Sequence, residues 1–298
     1  GPTVKGPVEV PTIVTTYSEY VNKFGTTFVS GSSTDSQVYS YFTSVAAYNY
    51  FVNGGESLLI ARVVNTSSGA YTPATSSIII NSGSTNAFIL ETLSEGIIMN
   101  SDSAEVSGSL ESGSADNVRW QIVNANSSSG TFDLLIRRGD DNILQPVALE
   151  TWTNLTLDPN SNNYISRVIG DMNENYDPVN NQIAYTGTYV NRSNYVRVKQ
   201  VNYTTPNFFN SNGVTSSALY PTYIPVNASG TFGSALGTVA GGAHFYNAIN
   251  SSNTQGVQGS DYDNMINLLS NQDDYKFNIL LTPGLYDGSG YTQQVSNI

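Results

Sequence analysis

The sequence predicts a mixed protein of the α+β or α/β class: a discontinuous α/β core domain, residues 1–64 and 224–298, interrupted by a β-rich inserted domain, residues 65–223. Two observations carry this prediction. Near both ends of the chain, apolar residues recur at three- and four-residue spacing beside short apolar runs, the pattern of helices packed on strands. From Asn65 onward, loops rich in Ser, Gly and Thr separate short runs of branched and aromatic residues, the pattern of an all-β module.

In chain order, Pro11-Thr-Ile-Val-Thr15 is a short strand. Thr16 and Glu19 have capping-box spacing, in which the hydroxyl accepts an amide three residues on and the carboxylate reaches back, so a helix starts there and ends at Gly25. Val38, Tyr41, Phe42, Val45, Tyr48, Phe51 and Val52 predict a second helix over 38–52 whose aromatic stripe faces the core, with Gly54-Gly55 as its left-handed C-cap. Ser57 to Val64 is an almost unbroken apolar run, expected mid-sheet and covered on both faces.

The insertion reads as strands at Ser77–Ile80, Ala87–Leu90, Val118–Val123 and Phe132–Arg137. A short helix is predicted between Asn163 and Gly170, where Tyr164, Ile165, Val168 and Ile169 share a face. In the β segment Tyr189–Val201, Val196 and Val198 alternate with Arg197 and Lys199, which gives a narrow basic outer face. Beyond Pro225, Ser260 is a candidate cap for a helix through Asn271 with Tyr262, Met265, Ile266 and Leu269 on one side. Phe277–Leu281 then reads as a strand and Thr282-Pro283-Gly284 as its exit turn, mirroring the opening unit.

Composition limits function. The 298 residues are 39% hydrophobic, enough to bury real cores, and only 11% charged, so Asn, Ser, Thr and 20 Tyr supply much of the polar surface. A net charge of −12 with only 11 scattered Lys and Arg argues against nucleic acid, which is bound by clustered cations that displace counterions. No apolar run is long enough to span a bilayer, and the opening GPTVKGPVEV lacks the regions of a signal peptide, so no membrane partner is expected. Without cysteine there is neither a disulfide nor thiolate chemistry. Seven glycosylation sequons, beginning at Asn65, Asn126 and Asn154, are what chance gives in so Asn- and Ser-rich a chain.

The search for catalytic groups finds none to assign. His244 is the only histidine, so any Ser-His-Asp arrangement or His-based zinc site depends on it, and its neighbours Gly242-Ala243 and Phe245-Tyr246 fit no catalytic motif; a packed or surface-bonded histidine is expected. Asp158-Pro-Asn160-Ser-Asn162 and Asp171-Met-Asn173-Glu-Asn175 begin like calcium loops. Their sixth positions are Asn163 and Tyr176 in place of Gly, and their twelfth Ile169 and Gln182 in place of Glu, so Asx-turns are the better account. The pairs Asp140-Asp141 and Asp273-Asp274 are expected to solvate loops. There is no phosphate-binding loop, and the glycines from Gly230 to Gly237 have the wrong spacing for a dinucleotide fingerprint. No catalytic, cofactor-binding or metal residue is predicted, and the chain is not expected to be an enzyme.

Three stretches carry a resemblance. Gly6-Pro7 and Pro11-Thr-Ile-Val-Thr15, then Tyr17-Ser-Glu-Tyr-Val-Asn-Lys-Phe-Gly25, then Tyr50-Phe-Val-Asn-Gly-Gly55 and Ile60-Ala-Arg-Val-Val64, resemble in order and spacing the start of contractile bacteriophage tail sheath proteins. Phe132-Asp-Leu-Leu-Ile136 with Asn154–Ile169 is similar to that family's inserted domain, and Phe277–Gly284 to a core strand and its exit turn. None is a catalytic signature; the resemblance rests on their co-occurrence.

The resemblance implies a structural subunit without cofactor, located in the virion tail and assembled in the bacterial host cytoplasm. Its partners are other sheath subunits in six-membered rings stacked helically, the tail tube protein and the baseplate. Such a contractile injection system drives the tube through the host envelope for genome ejection. Family members are longer, so the chain is expected to be truncated at both ends and, by itself, monomeric. The alternative is a phage or cell-surface adhesin presenting β-module loops to glycans, which the helix and buried strand of the opening segment fit poorly.

Overall fold

The structure, a computed structural model, describes residues 1–30, 37–66, 69–101, 105–106, 109–238, 249–250, 252–288 and 290–298. They form two compact units: unit 1 from residues 1–71, 174–185 and 236–298, and unit 2 from residues 72–173 and 186–235. The chain therefore passes between units at 71/72 and 235/236, where the sequence suggested 64/65 and 223/224, and residues 174–185 of the expected insertion belong to unit 1.

Unit 1 opens with β1 (Thr12–Val14), α1 (Tyr17–Phe24), β2 (Thr27–Ser30), β3 (Gln37–Ser40), α2 (Phe42–Val52) and β4 (Leu58–Ile60). Local chemistry fixes α1 as expected. The Glu19 amide donates to Thr16 Oγ1 at 3.1 Å, the Thr15 amide donates to the Glu19 carboxylate at 2.9 Å, and Gly25 ends the helix at φ 70°. Tyr20 and Phe24 are then buried against Val14, Ala47 and Ile60.

Three expectations for this unit are corrected. Residues 37–40 form β3, paired antiparallel with β2 so that Val29 lies opposite Val38, and the helix starts only at Phe42. Only part of its aromatic stripe faces the core: Tyr41 is buried and Phe51 packs against the Tyr20 cluster, but the rest does not. Thr43, Ser44 and Ala47 are buried while Phe42, Val45, Tyr48 and Val52 are exposed, because the small residues let α2 approach α1 closely. The third correction concerns β4, which among the described residues pairs with β1 alone, in a two-stranded antiparallel ladder, and is not mid-sheet. The apolar run leaves the ladder after Ile60, and buried Arg62 donates Nη1 to the Gly6 carbonyl at 2.5 Å, tying the run to the N-terminal loop.

Unit 2 is dominated by one curled antiparallel sheet. Its sequence elements are β5 (Pro73–Ser76), β6 (Phe88–Glu95), the two-residue strands β7 (Glu105–Val106) and β8 (Ser109–Leu110), β9 (Val118–Asn126), β10 (Thr131–Arg138), β11 (Ala148–Thr156) and α3 (Ile165–Ile169). After the hairpin β12 (Asn173–Asp177) and β13 (Gln182–Thr186) come β14 (Val196–Val201), α4 (Tyr220–Tyr223) and β15 (Ala228–Gly233). Seven of the strands form the sheet in the order β11-β10-β9-β15-β5-β6-β14. The last strand in sequence, β15, is thus the middle one in space and joins the meander β9-β10-β11 to β5-β6-β14. Phe88, Trp120, Phe132, Leu134, Val196 and Phe232 are among the residues packed beneath it.

The predicted strands at 118–123 and 132–137 and the helix within 163–170 are present, whereas Ser77–Ile80 lies beyond the end of β5. The sequence offered little for β11, a half-exposed edge strand rich in Thr, or for β15, whose Gly230 and Gly233 read as a loop.

Unit 1 resumes with a 3₁₀ turn, Gly259–Tyr262, leading into α5 (Asp263–Leu269), and ends in α6 (Thr292–Ser296). The cap is Gln258, in a reciprocal box with Asp261, not Ser260. Tyr262, Met265, Ile266 and Leu268 form a core with Val63, against which Tyr176 of β12 and Ile183 of β13 pack. Phe277–Leu281, expected as a strand, joins no ladder among the described residues; alternate Phe277, Ile279 and Leu281 are exposed.

Candidate functional site

Unit 2 has a cleft of about 350 Å³ beside edge strand β14. The strand's alternation builds one wall. Val196 and Val198 point into the core, so Arg197 and Lys199 point outward, as the spacing predicts. Both cations are held from behind by Glu91 of β6, which is almost fully buried: Lys199 Nζ lies 2.7 Å from Glu91 Oε1, and Arg197 Nη2 donates to Oε2. The edge is closed to pairing where the Val198 amide donates to the Gly170 carbonyl at 2.8 Å, beside a register shift in the β14–β6 ladder.

The opposite wall is the loop after α3. Asp171 Oδ1 accepts the Thr188 and Tyr189 amides at 2.8 and 2.7 Å, and the Asp171 carbonyl accepts Arg197 Nη1 at 3.3 Å. Glycine is required where the loops meet. Gly187 has φ 107°, and a Cβ there would lie 2.5 Å from the Asp171 carbonyl oxygen. Tyr164 contributes a half-buried ring whose hydroxyl burial pushes above the ordinary tyrosine value, and it meets Tyr189 edge to face at 6.4 Å. Arg167 lies over the other ring, 5.5 Å from the Tyr189 centroid. Asp171, Arg197 and Lys199 are thereby brought together and held, although 26 residues separate the first two in sequence. The sequence showed the parts but no link between them; the glycines at 170 and 187 were the only local sign of loops in close approach.

The other residues singled out in the sequence fall elsewhere. His244 lies outside the described residues. Asp158 forms the expected Asx-turn, accepting the Asn160 amide at 2.9 Å, whereas Asp171 clamps a distant loop instead. Asp273 and Asp274 are exposed, the latter bonded to Asn271 Nδ2 at 2.8 Å. Asp141 is a correction: it does not solvate a loop but is buried between two arginines, accepting Arg137 Nε at 2.7 Å and Arg119 Nη1 at 3.1 Å. Among the described residues no group of three or more His, Cys, Asp or Glu side chains is placed to hold a metal ion, and no helix is long and apolar enough to cross a membrane.

Unit 1 presents a surface of another kind. The outer side of α2 exposes Phe42, Val45, Tyr48 and Val52 by 47, 48, 49 and 62%, and the cross-strand pair Val29 and Val38 is exposed as well. α2 contains no charged residue along its whole length. Bulky apolar side chains repeated on one uncharged helix face are what a covered surface looks like.

No family model matches the chain, and no curated protein matches it. Among solved structures the chain is similar to the sheath tail protein from Desulfitobacterium hafniense, at 12% identity and a TM-score of 0.27, over 74% of this chain and 36% of that one. The chain thus spans about a third of that protein's length.

Proposed function

We propose that the chain is a segment of a contractile phage tail sheath subunit, a structural element without catalytic chemistry that packs with copies of itself around a tail tube. The observation that carries the proposal is the exposed, uncharged apolar side of α2, which a protein working alone has no reason to present and an assembling subunit needs. The sequence stretches that resemble the sheath family run through the same segment, from Tyr17 to Val64. In this proposal unit 1 is part of the discontinuous core that packs against neighbouring subunits, and the β sheet of unit 2 is the outward-facing insertion. Units with well-filled interiors keep their folds while contacts between subunits exchange, so contraction draws on new interfaces and requires no nucleotide. The partners are further sheath subunits, the tube and the baseplate, and the location is the virion tail.

The test is electron microscopy of the complete gene product expressed alone, beside size-exclusion chromatography of the 298-residue chain. Stacked six-membered rings or tubes from the former, with a monomeric chain, support the proposal. A gene product that stays monomeric or trimeric and forms no tubes overturns it in favour of an adhesin.

A further inference from the structure

Beyond assembly, we infer that the cleft between β14 and the loop after α3 binds a neutral saccharide. Its groups are complementary in a way that selects hydroxyls. Asp171 Oδ1 is occupied by two backbone amides, and Oδ2 has no partner among the described residues, leaving a carboxylate oxygen that can only accept. Across the cleft Arg197 and Lys199 can only donate. A ligand that satisfies both walls must donate to one and accept from the other, and a sugar hydroxyl does both.

Other ligand classes fit less well. Glu91 and Asp171 together match the charges of Arg197 and Lys199, so the cleft lacks the uncompensated positive charge that a phosphate or polyanion demands. A single carboxylate is too few for a divalent cation. An apolar ligand would cover the Asp171 carboxylate without giving Oδ2 a donor. The half-buried Tyr164 side chain adds an aromatic group to the lining, of the kind on which the C–H face of a pyranose packs, and exposed Thr186 adds a hydroxyl. The volume, about 350 Å³, lies at the small end of the usual range for ligand sites. The polar groups are also held in place before any ligand arrives: Asp171 by two amides, Arg197 by Glu91 and the Asp171 carbonyl, and the loops by a glycine that tolerates no side chain.

The experiment is a printed array of neutral and acidic glycans probed with the 298-residue chain displayed multivalently, so that weak binding is read. It is repeated with two variants whose folding is checked by circular dichroism. Asp171→Asn keeps the acceptor that the two amides use and replaces the free oxygen with a donor; Lys199→Ala removes an exposed side chain. The expected result is retention of one or more related neutral glycans, reduced about tenfold by Asp171→Asn and measurably by Lys199→Ala. Retention of no glycan, of acidic glycans alone, or of a glycan that both variants hold as tightly as the wild type overturns the assignment. The outcome does not depend on whether the gene product forms tubes, so this inference and the sheath proposal stand or fall separately.

Discussion

Gly230 lies directly across from Trp120 in the antiparallel pairing of β15 with β9, and the indole edge fills the space where a side chain at 230 would stand. A Cβ there would come within 2.4 Å of Trp120 Cζ2 and 2.3 Å of Ser77 Oγ, the atom to which Trp120 Nε1 donates at 3.1 Å. The seam that joins the two halves of the sheet therefore depends on a missing side chain. Gly230→Ala is expected to force a shift of the buried indole and to lower the stability of unit 2 by about 1–3 kcal/mol. Urea denaturation followed by tryptophan fluorescence measures this, and a change within error would show that the seam relaxes freely.

Asp141 is the buried carboxylate that pairs with two buried guanidiniums, Arg119 at 3.1 Å and Arg137 in a two-pronged contact at 2.7 and 2.9 Å. Removing the carboxylate leaves positive charge in a dry interior, so Asp141→Ala is expected to cost about 3–5 kcal/mol. Asp140→Ala, one residue earlier and on the surface, is the control and is expected to stay within about 1 kcal/mol of wild type. Equal losses for the two variants in chemical denaturation would contradict the buried-cluster account.

Unit 1 is expected to weaken in alkali. Burial pushes the Tyr20 and Tyr262 hydroxyls well above the ordinary tyrosine value, while in the unfolded chain they titrate near pH 10. The folded chain then holds protons that the unfolded chain has lost. Stability is complete below about pH 10 and falls as pH rises from there toward the folded-state values, by up to about 1.4 kcal/mol per pH unit for each residue. Tyr20→Phe with Tyr262→Phe should flatten this slope in denaturation curves taken between about pH 9.5 and 11. A slope unchanged by the double substitution would mean that other groups govern alkaline unfolding.

Local signals in the sequence reported local structure well. Thr16, Glu19 and Gly25 bound α1 through bonds that span only a few residues, and the Val196/Arg197/Val198/Lys199 alternation assigns β14 its two faces. Features decided by distant contacts were not legible. The apolar spacing of 38–52 cannot say which side of a helix is covered, and small Ser44 and Ala47 won the buried side from larger neighbours. Gly230 of β15 is required by Trp120, a partner more than a hundred residues away, and the strand with its two glycines reads as a loop by itself. Asp141 is hidden for a similar reason, since nothing in Asp140-Asp141 indicates that Arg119 and Arg137 close over the second carboxylate.

The exposed side of α2 bears most directly on assembly. Val45 and Val52 are two turns apart on it and exposed, so Val45→Glu with Val52→Glu is expected to leave folding within about 1 kcal/mol of wild type. The same pair of charges would make a contact between subunits costly. The decisive measurement is electron microscopy of the complete gene product with and without these two substitutions. The account predicts stacked rings or tubes from the wild type and folded, unassembled protein from the variant. Tubes that form equally well with both glutamates in place would contradict it.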